Sequence, residues 1–193
     1  LTVDKAAEAQ GGKGIESVTG SANDVKYQEN KDISATCKAG YYFTGWKDAD
    51  GNLVSNDANY TVTMPNADYA LYATAAPYTN IKYTVVHKLQ DVNDHIKYNV
   101  DDTQEYFDGT TDAQTSVTAK SYTGFTALPI TQQIVKADGS TVVDVLYNRN
   151  SYELTLAIGS AGIDSTTPAA SVATSVKYGA TQAIDAAFKA GYT

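Results

Sequence analysis

Part of this chain occurs twice. Val25-Lys26-Tyr27, followed by Ile33-Ser34-Ala35-Thr36-Cys37-Lys38-Ala39-Gly40-Tyr41, returns as Val176-Lys177-Tyr178, followed by Ile184-Asp185-Ala186-Ala187-Phe188-Lys189-Ala190-Gly191-Tyr192. The offset is a constant 151 residues with no gap (25 to 176, 41 to 192). Upstream, Gly14-Ile15-Glu16-Ser17 matches Gly162-Ile163-Asp164-Ser165, and Leu1-Thr2-Val3 matches Leu154-Thr155-Leu156, with small length changes between. Self-similarity at this spacing means a modular chain, so 193 residues are not one large domain. Three segments are expected: a first module over 1–76, a different one over 77–150, and the start of a second copy of the first over 151–193. The second copy stops at Thr193, where the first continues Phe43-Thr44-Gly45-Trp46. Its apolar face is then expected to carry an unpaired strand edge. That edge would be disordered, paired with a neighbouring molecule, or completed by another chain through swapping.

The pattern inside the repeat is that of strands. Ile33, Ala35, Cys37 and Ala39 alternate with Ser34, Thr36 and Lys38, the period of two of a half-buried strand. A position holding Cys37 in one copy and Phe188 in the other reads as core, so Cys37 is expected to be a structural thiol. As the single cysteine, it has no internal disulfide partner. Asp50-Gly51 between alternating stretches signals a hairpin. Tyr60 to Thr63 reads as a strand ended by Pro65, and Tyr69 to Ala75 as a last strand. With 15 tyrosines, abundant Thr and Val, and no long capped helical run, the class is mainly β, α+β at most. Linkers are short, Ala76-Pro77 and Arg149-Asn150-Ser151, which favours an elongated, stiff arrangement.

Gly40-Tyr41-Tyr42-Phe43-Thr44-Gly45-Trp46, followed by Tyr60-Thr61-Val62-Thr63-Met64-Pro65-Asn66-Ala67-Asp68-Tyr69, resembles the internalin B-repeat family, also called the Listeria–Bacteroides repeat. The likeness covers the first module and the partial third. The middle module opens Tyr83-Thr84-Val85-Val86-His87 and closes Asp138-Gly139-Ser140-Thr141-Val142-Val143. It is similar to mucin-binding-protein-type repeats of Gram-positive surface proteins. Both resemblances imply tandem small β-grasp-like modules of an extracellular, cell-wall-attached surface protein.

Composition narrows the partners. Net charge is −8 and Arg149 is the only arginine, which argues against nucleic acid and against anionic membrane surfaces. No apolar run reaches bilayer length. Catalytic signatures are also missing: there is no Gly-x-Ser-x-Gly, no phosphate-binding loop and no His-Glu-x-x-His. Of two histidines, His87 alternates with Tyr83, Val85 and Leu89 and reads as a packed, hydrogen-bonded core residue; the family likeness also places a His there. Asp48, Asp50, Asp91, Asp94, Asp101, Asp102 and Asp138 fall in expected turns. The Asp48–Asn52 and Asp91–Asp94 clusters offer oxygen ligands, but neither matches the twelve-residue calcium loop. Lys82 or Lys88 with Asn148 and Glu105 would be the actors of an isopeptide staple, though nothing in the spacing selects them. Tyr41 and Phe43 are expected on one face with Tyr42 opposite, and Trp46 to cap the core. Tyr60, Tyr72 and Tyr147 are expected to leave hydroxyls at the surface. No residue is assigned a catalytic, cofactor or metal role, and no cofactor is expected. The chain is expected to be a non-catalytic stalk or spacer whose partners are its neighbouring repeats. The alternative is an adhesion module binding host glycan or protein.

Overall fold

The structure is a computed structural model that describes residues 1–101 and 104–193; Asp102, expected in a turn, lies outside the described residues. The chain divides into two compact units. One comprises residues 1–83, 106–115 and 133–141, the other residues 84–105, 116–132 and 142–193. The described residues are nearly all β, with two single-turn 3-10 segments at Glu8–Gln10 and Gly12–Gly14. No helix among them is long and apolar enough to cross a membrane.

The N-terminal segment contains β1 (Thr2–Lys5), β2 (Ile15–Thr19), β3 (Asn30–Cys37), β4 (Tyr41–Lys47), β5 (Leu53–Ser55), β6 (Asn59–Thr63) and β7 (Ala70–Pro77). They form two sheets, in the orders β1-β7-β4-β5 and β2-β3-β6. The β1–β7 pair is parallel and the others are antiparallel. Alternation decides what each strand buries: Ile33 from β3, Val62 from β6, and Leu71, Ala73 and Ala75 from β7. These join Val3, Ile15, Tyr41, Trp46 and Met64 in one apolar cluster, with Cys37 and Phe43 packed against it half-buried. Trp46 is the largest fully buried side chain, and truncating such a group typically costs about 3–5 kcal/mol. The expected Asp50-Gly51 hairpin joins β4 to β5, with Gly51 in the left-handed region (φ 86°) and its N–H on Asp48 O at 3.1 Å.

The next strands are β8 (Ile81–Gln90), β9 (Tyr98–Gly109), β10 (Phe125–Ala127) and β11 (Val142–Arg149). Their order is β10-β11-β8-β9, and β11 runs parallel to β8 in a register from Val142↔Thr84 to Tyr147↔Leu89. The central strands bury Tyr83, Val85 and His87 on β8, the alternation expected for that strand, and Val143, Val145 and Tyr147 on β11. Asp101 lies in β9 and not in a turn: its carboxylate accepts from Tyr122 Oη at 2.6 Å, a long-range contact that local sequence does not announce.

The C-terminal segment forms two separate strand pairs, β12 (Ser151–Leu154) with β14 (Thr174–Lys177), and β13 (Ile163–Thr167) with β15 (Asp185–Phe188). Ile184, Phe188 and Tyr192 are exposed, so this segment is not a closed domain. Phe188, aligned with Cys37 and expected in a core, faces solvent because its hairpin has no covering strands among the described residues.

Candidate functional site

The two segments expected as linkers, Ala76-Pro77 and Arg149-Asn150-Ser151, lie inside the compact units, one in each. Ala76-Pro77 ends β7, and the following residue is held from both sides: Tyr78 N–H donates to Gly40 O at 2.9 Å, and Tyr78 O accepts from Thr111 N–H at 3.0 Å. Gly40 is left-handed (φ 82°), and a Cβ there would lie 2.5 Å from Ala137 Cβ. Beside it, Tyr41 Oη donates to Asp112 Oδ2 at 2.8 Å, and Lys13 Nζ lies 3.5 Å from the same oxygen. Burial, with the Asp112 carboxylate adding to it, pushes the Tyr41 hydroxyl above the usual phenol range. The Tyr42 and Tyr78 rings meet at 5.4 Å between centroids. All of these residues belong to the first compact unit.

The second linker repeats the device within the other unit. Asn150 N–H donates to Gly124 O at 2.8 Å, and Asn150 O accepts from Tyr178 N–H at 2.8 Å. The single arginine serves this joint: Arg149 Nε donates to Gln90 O at 3.1 Å and Nη1 to Tyr178 O at 2.8 Å. Its guanidinium stands 4.6 Å over the Phe125 ring. Lys177 Nζ donates to Arg149 O at 3.0 Å. At each joint one residue donates its amide to a glycine carbonyl and accepts a remote amide on its own carbonyl. Neither joint was legible locally, since their partners lie tens of residues away.

His87 is fully buried, as expected, in a polar cluster. Tyr147 Oη accepts from Lys120 N–H at 2.9 Å and stands 2.8 Å from His87 Nδ1. His87 Nε2 lies 3.2 Å from Glu105 Oε2, a carboxylate oxygen that only accepts, so Nε2 is the donor of that bond. Lys120 Nζ sits 2.7 Å from Glu105 Oε1. That bond, and then the one from His87, hold the Glu105 carboxyl below its ordinary value. Tyr147, expected to show its hydroxyl at the surface, is buried, because its place in phase with Val143 and Val145 points it into the core. That phase was the available signal. Both ring nitrogens are engaged, so the cluster ties β8, β9 and β11 together.

The expected isopeptide actors are not brought together. Lys82 pairs with Asp108 at 2.8 Å, Lys88 with Asp144 at 2.6 Å, and Asn148 accepts from Tyr98. The turn carboxylates do conformational work. Asp48 Oδ1 accepts from Asp50 N–H at 3.0 Å and Asn52 N–H at 2.8 Å, and Oδ2 from Asn52 Nδ2 at 3.1 Å. Asp91 accepts from Asn99 Nδ2 at 2.7 Å, Asn93 N–H at 2.8 Å and Asp94 N–H at 3.1 Å, which lowers its pKa to about 2. Among the described residues no three His, Cys, Asp or Glu side chains group as metal ligands. Tyr41 is a core residue and Tyr42 is exposed, as the alternation predicts; Trp46 is in the core as expected of a large aromatic, brought there out of phase by the register shift between Phe43 and Gly45; Tyr60 and Tyr72 are half-buried. An open cleft of about 540 Å³ in the first unit is lined by Lys5, Gln10, Lys47, Asp48, Tyr72 and Thr74.

Residues 2–77 match the family model described as the divergent InlB B-repeat domain. The first module is thus a B-repeat domain, in agreement with the Gly-Trp and Met-Pro blocks that carry the likeness in the sequence. No curated protein matches the chain. No solved structure matches it either.

Proposed function

We propose that the chain is a non-catalytic spacer segment of a bacterial cell-surface repeat protein, holding a functional domain away from its anchor. The observation that carries this reading is the paired hydrogen-bonding of Tyr78, which follows Ala76-Pro77, and of Asn150. A linker whose amide and carbonyl are both held has little freedom left to bend, unlike a Gly/Ser tether. Three further features support it: titratable groups engaged in structural bonds, a net charge of −8 that keeps neighbouring chains apart, and repetition that sets reach. In this reading the segment's partners are its own neighbouring repeats, outside the cell.

Backbone 15N relaxation tests it. Tyr78 and Asn150 are expected to reach order parameters of about 0.85, equal to the strands that flank them; values under about 0.6 at either would end the spacer reading. In Arg149→Ala the loss is expected at Asn150 and Tyr178 only, with Tyr78 unchanged. A second reading, adhesion, draws on the cleft between Lys47 and Tyr72, whose mix of polar groups and an aromatic wall suits a sugar. Amide shifts at Lys5, Lys47 and Tyr72 on titration with a panel of host glycans would favour it over the spacer.

A further inference from the structure

The cleft of about 540 Å³ in the first unit is made of parts that the chain's own hydrogen bonds hold in place. Its floor follows from strand alternation. Leu71, Ala73 and Ala75 of β7 point into the core, so Tyr72 and Thr74 take the opposite face, where Lys47 of β4 stands across from Tyr72. One wall is the stretch from Ala6 to Gln10, held by Ala6 N–H on Ala73 O at 3.0 Å and Gln10 N–H on Ala7 O at 2.8 Å. The other is the β4–β5 turn, whose shape the Asp48 carboxylate sets. Bonds from Asn52, its side chain first, hold that carboxyl below its ordinary value. A site that needs no rearrangement keeps more of its contact energy as affinity.

The groups the fold leaves unspent in this cleft define what it can bind. Asp48 is committed to its turn and Lys5 Nζ to Glu16 O at 3.2 Å. Lys47 is half-buried, yet among the described residues it enters no ion pair. The Gln10 amide, the Tyr72 hydroxyl and the Asp50 carboxylate likewise make no side-chain hydrogen bond among the described residues. The backbone of the floor is not available, because β7 is already paired on both edges, with β1 and with β4. An extended peptide docks by adding to a free strand edge and finds none on this floor. The ligand is therefore one recognised by side chains: an ammonium, a phenol ring, an amide and a carboxylate.

A sugar ring with one carboxylate has a group for each. Carboxylate on ammonium is a charge-assisted hydrogen bond, stronger than the neutral kind. The ring face suits the apolar face of Tyr72, and ring hydroxyls can donate to Asp50 and share the Gln10 amide. The volume falls in the usual range for small-molecule sites, about 300–1,000 Å³. A polyanion fits poorly, because a chain of net charge −8 with Asp50 lining the cleft repels each further negative charge. We infer that the cleft binds a pyranose carrying a single carboxylate, of the uronic acid class, with the carboxylate on Lys47 Nζ and the ring against Tyr72. This ligand class rests on the adhesion reading of the same cleft and makes it specific.

The test is an amide-shift titration of the full chain with methyl β-glucuronide and with methyl β-glucoside. The two share a ring and differ in carrying a carboxylate or a hydroxymethyl group. Shifts are expected at Gln10, Lys47 and Tyr72, with the glucuronide bound about tenfold more tightly. Lys47→Gln is expected to bind both sugars equally, and Lys47→Arg to keep the preference, with amide shifts away from the cleft unchanged in each. Equal affinity of the parent chain for both sugars would overturn the carboxylate assignment and leave the adhesion reading standing. A preference that survives in Lys47→Gln would overturn it too, since the carboxylate would then sit elsewhere. A sulfated polysaccharide that displaces the glucuronide at lower concentration would overturn the limit to one charge. Silence from both sugars would overturn the whole assignment, and the adhesion reading falls with it only if the glycan panel is silent as well.

Discussion

Replacing Tyr147 with phenylalanine removes one oxygen from the middle of a buried network and almost nothing else. The ring keeps its edge-on contact with Tyr122, 4.8 Å between centroids, and its place on β11 beside β8. Apolar burial is therefore unchanged, and the cost is purely that of two orphaned partners. His87 Nδ1 is fully buried and has Tyr147 as its partner, so leaving it unmet costs about 1–3 kcal/mol. Lys120 N–H is only partly buried and recovers some hydration, so about 0.5–1.5 kcal/mol is lost there. The sum is about 1.5–4.5 kcal/mol, large beside the roughly 5–15 kcal/mol that holds an ordinary domain together.

Native-state hydrogen exchange on the β8 and β11 amides reads this directly, with the β4 and β7 amides as an internal control. Opening free energies in β8 and β11 are expected to fall by the stated amount while β4 and β7 stay put. Adding His87→Leu removes the buried nitrogen as well, so the double variant is expected to be at least about 1 kcal/mol more stable than additivity predicts. A loss under about 0.5 kcal/mol in the single variant would refute the hydrogen bonding described for the cluster. An additive double variant would do the same.

Asp91 is held by three donors and titrates at about 2, below its ordinary 3.8. A depressed carboxyl stabilises the fold above its unfolded pKa, so this contribution is complete above about pH 4 and is lost as pH falls from there to 2. An NMR titration of the Asp91 carboxyl is expected to show the low midpoint, and Asn99→Ala to move it upward; an ordinary midpoint in the parent would refute the three-donor turn. Gly40→Ala places a Cβ at φ 82° and 2.5 Å from Ala137 Cβ, whereas Gly51→Ala at φ 86° meets open space. Thermal unfolding is expected to show about 1–2 kcal/mol lost at Gly51 and about 2–4 at Gly40; equal losses would remove the packing role given to Gly40 at the joint.

What the sequence announced was the part of the structure made by near neighbours. The alternation of Ile33, Ala35 and Cys37 placed β3, Asp50-Gly51 placed the β4–β5 turn, and the Gly-Trp block placed Trp46 in the core. Each depends on a window of a few residues whose chemistry permits one local answer. The assignment of Asp101 to a turn and of the Tyr147 hydroxyl to the surface went wrong for a common reason. Both side chains are fixed by partners far along the chain, Tyr122 for Asp101 and Lys120 and His87 for Tyr147. A turn-forming residue in a strand obeys its tertiary partner over its propensity.

Tyr78 and Asn150 mark the same divide more sharply. Tyr78 is defined by Gly40 and Thr111, and Asn150 by Gly124 and Tyr178. A composition-based view of Ala76-Pro77 looks only to proline, whereas the next residue, Tyr78, is held by hydrogen bonds on both its amide and its carbonyl. The repeat nevertheless carries a hint of its own. Tyr178, the counterpart of Tyr27, donates its amide to Asn150 O and accepts from Arg149 on its carbonyl, while Tyr27 is an exposed turn residue beside Gln28. One repeat position thus serves as a plain turn in the first copy and bonds to Arg149 and Asn150 in the second. A local sequence fixes the hairpin template wherever it occurs; the use to which its surface residues are put depends on what stands next to them.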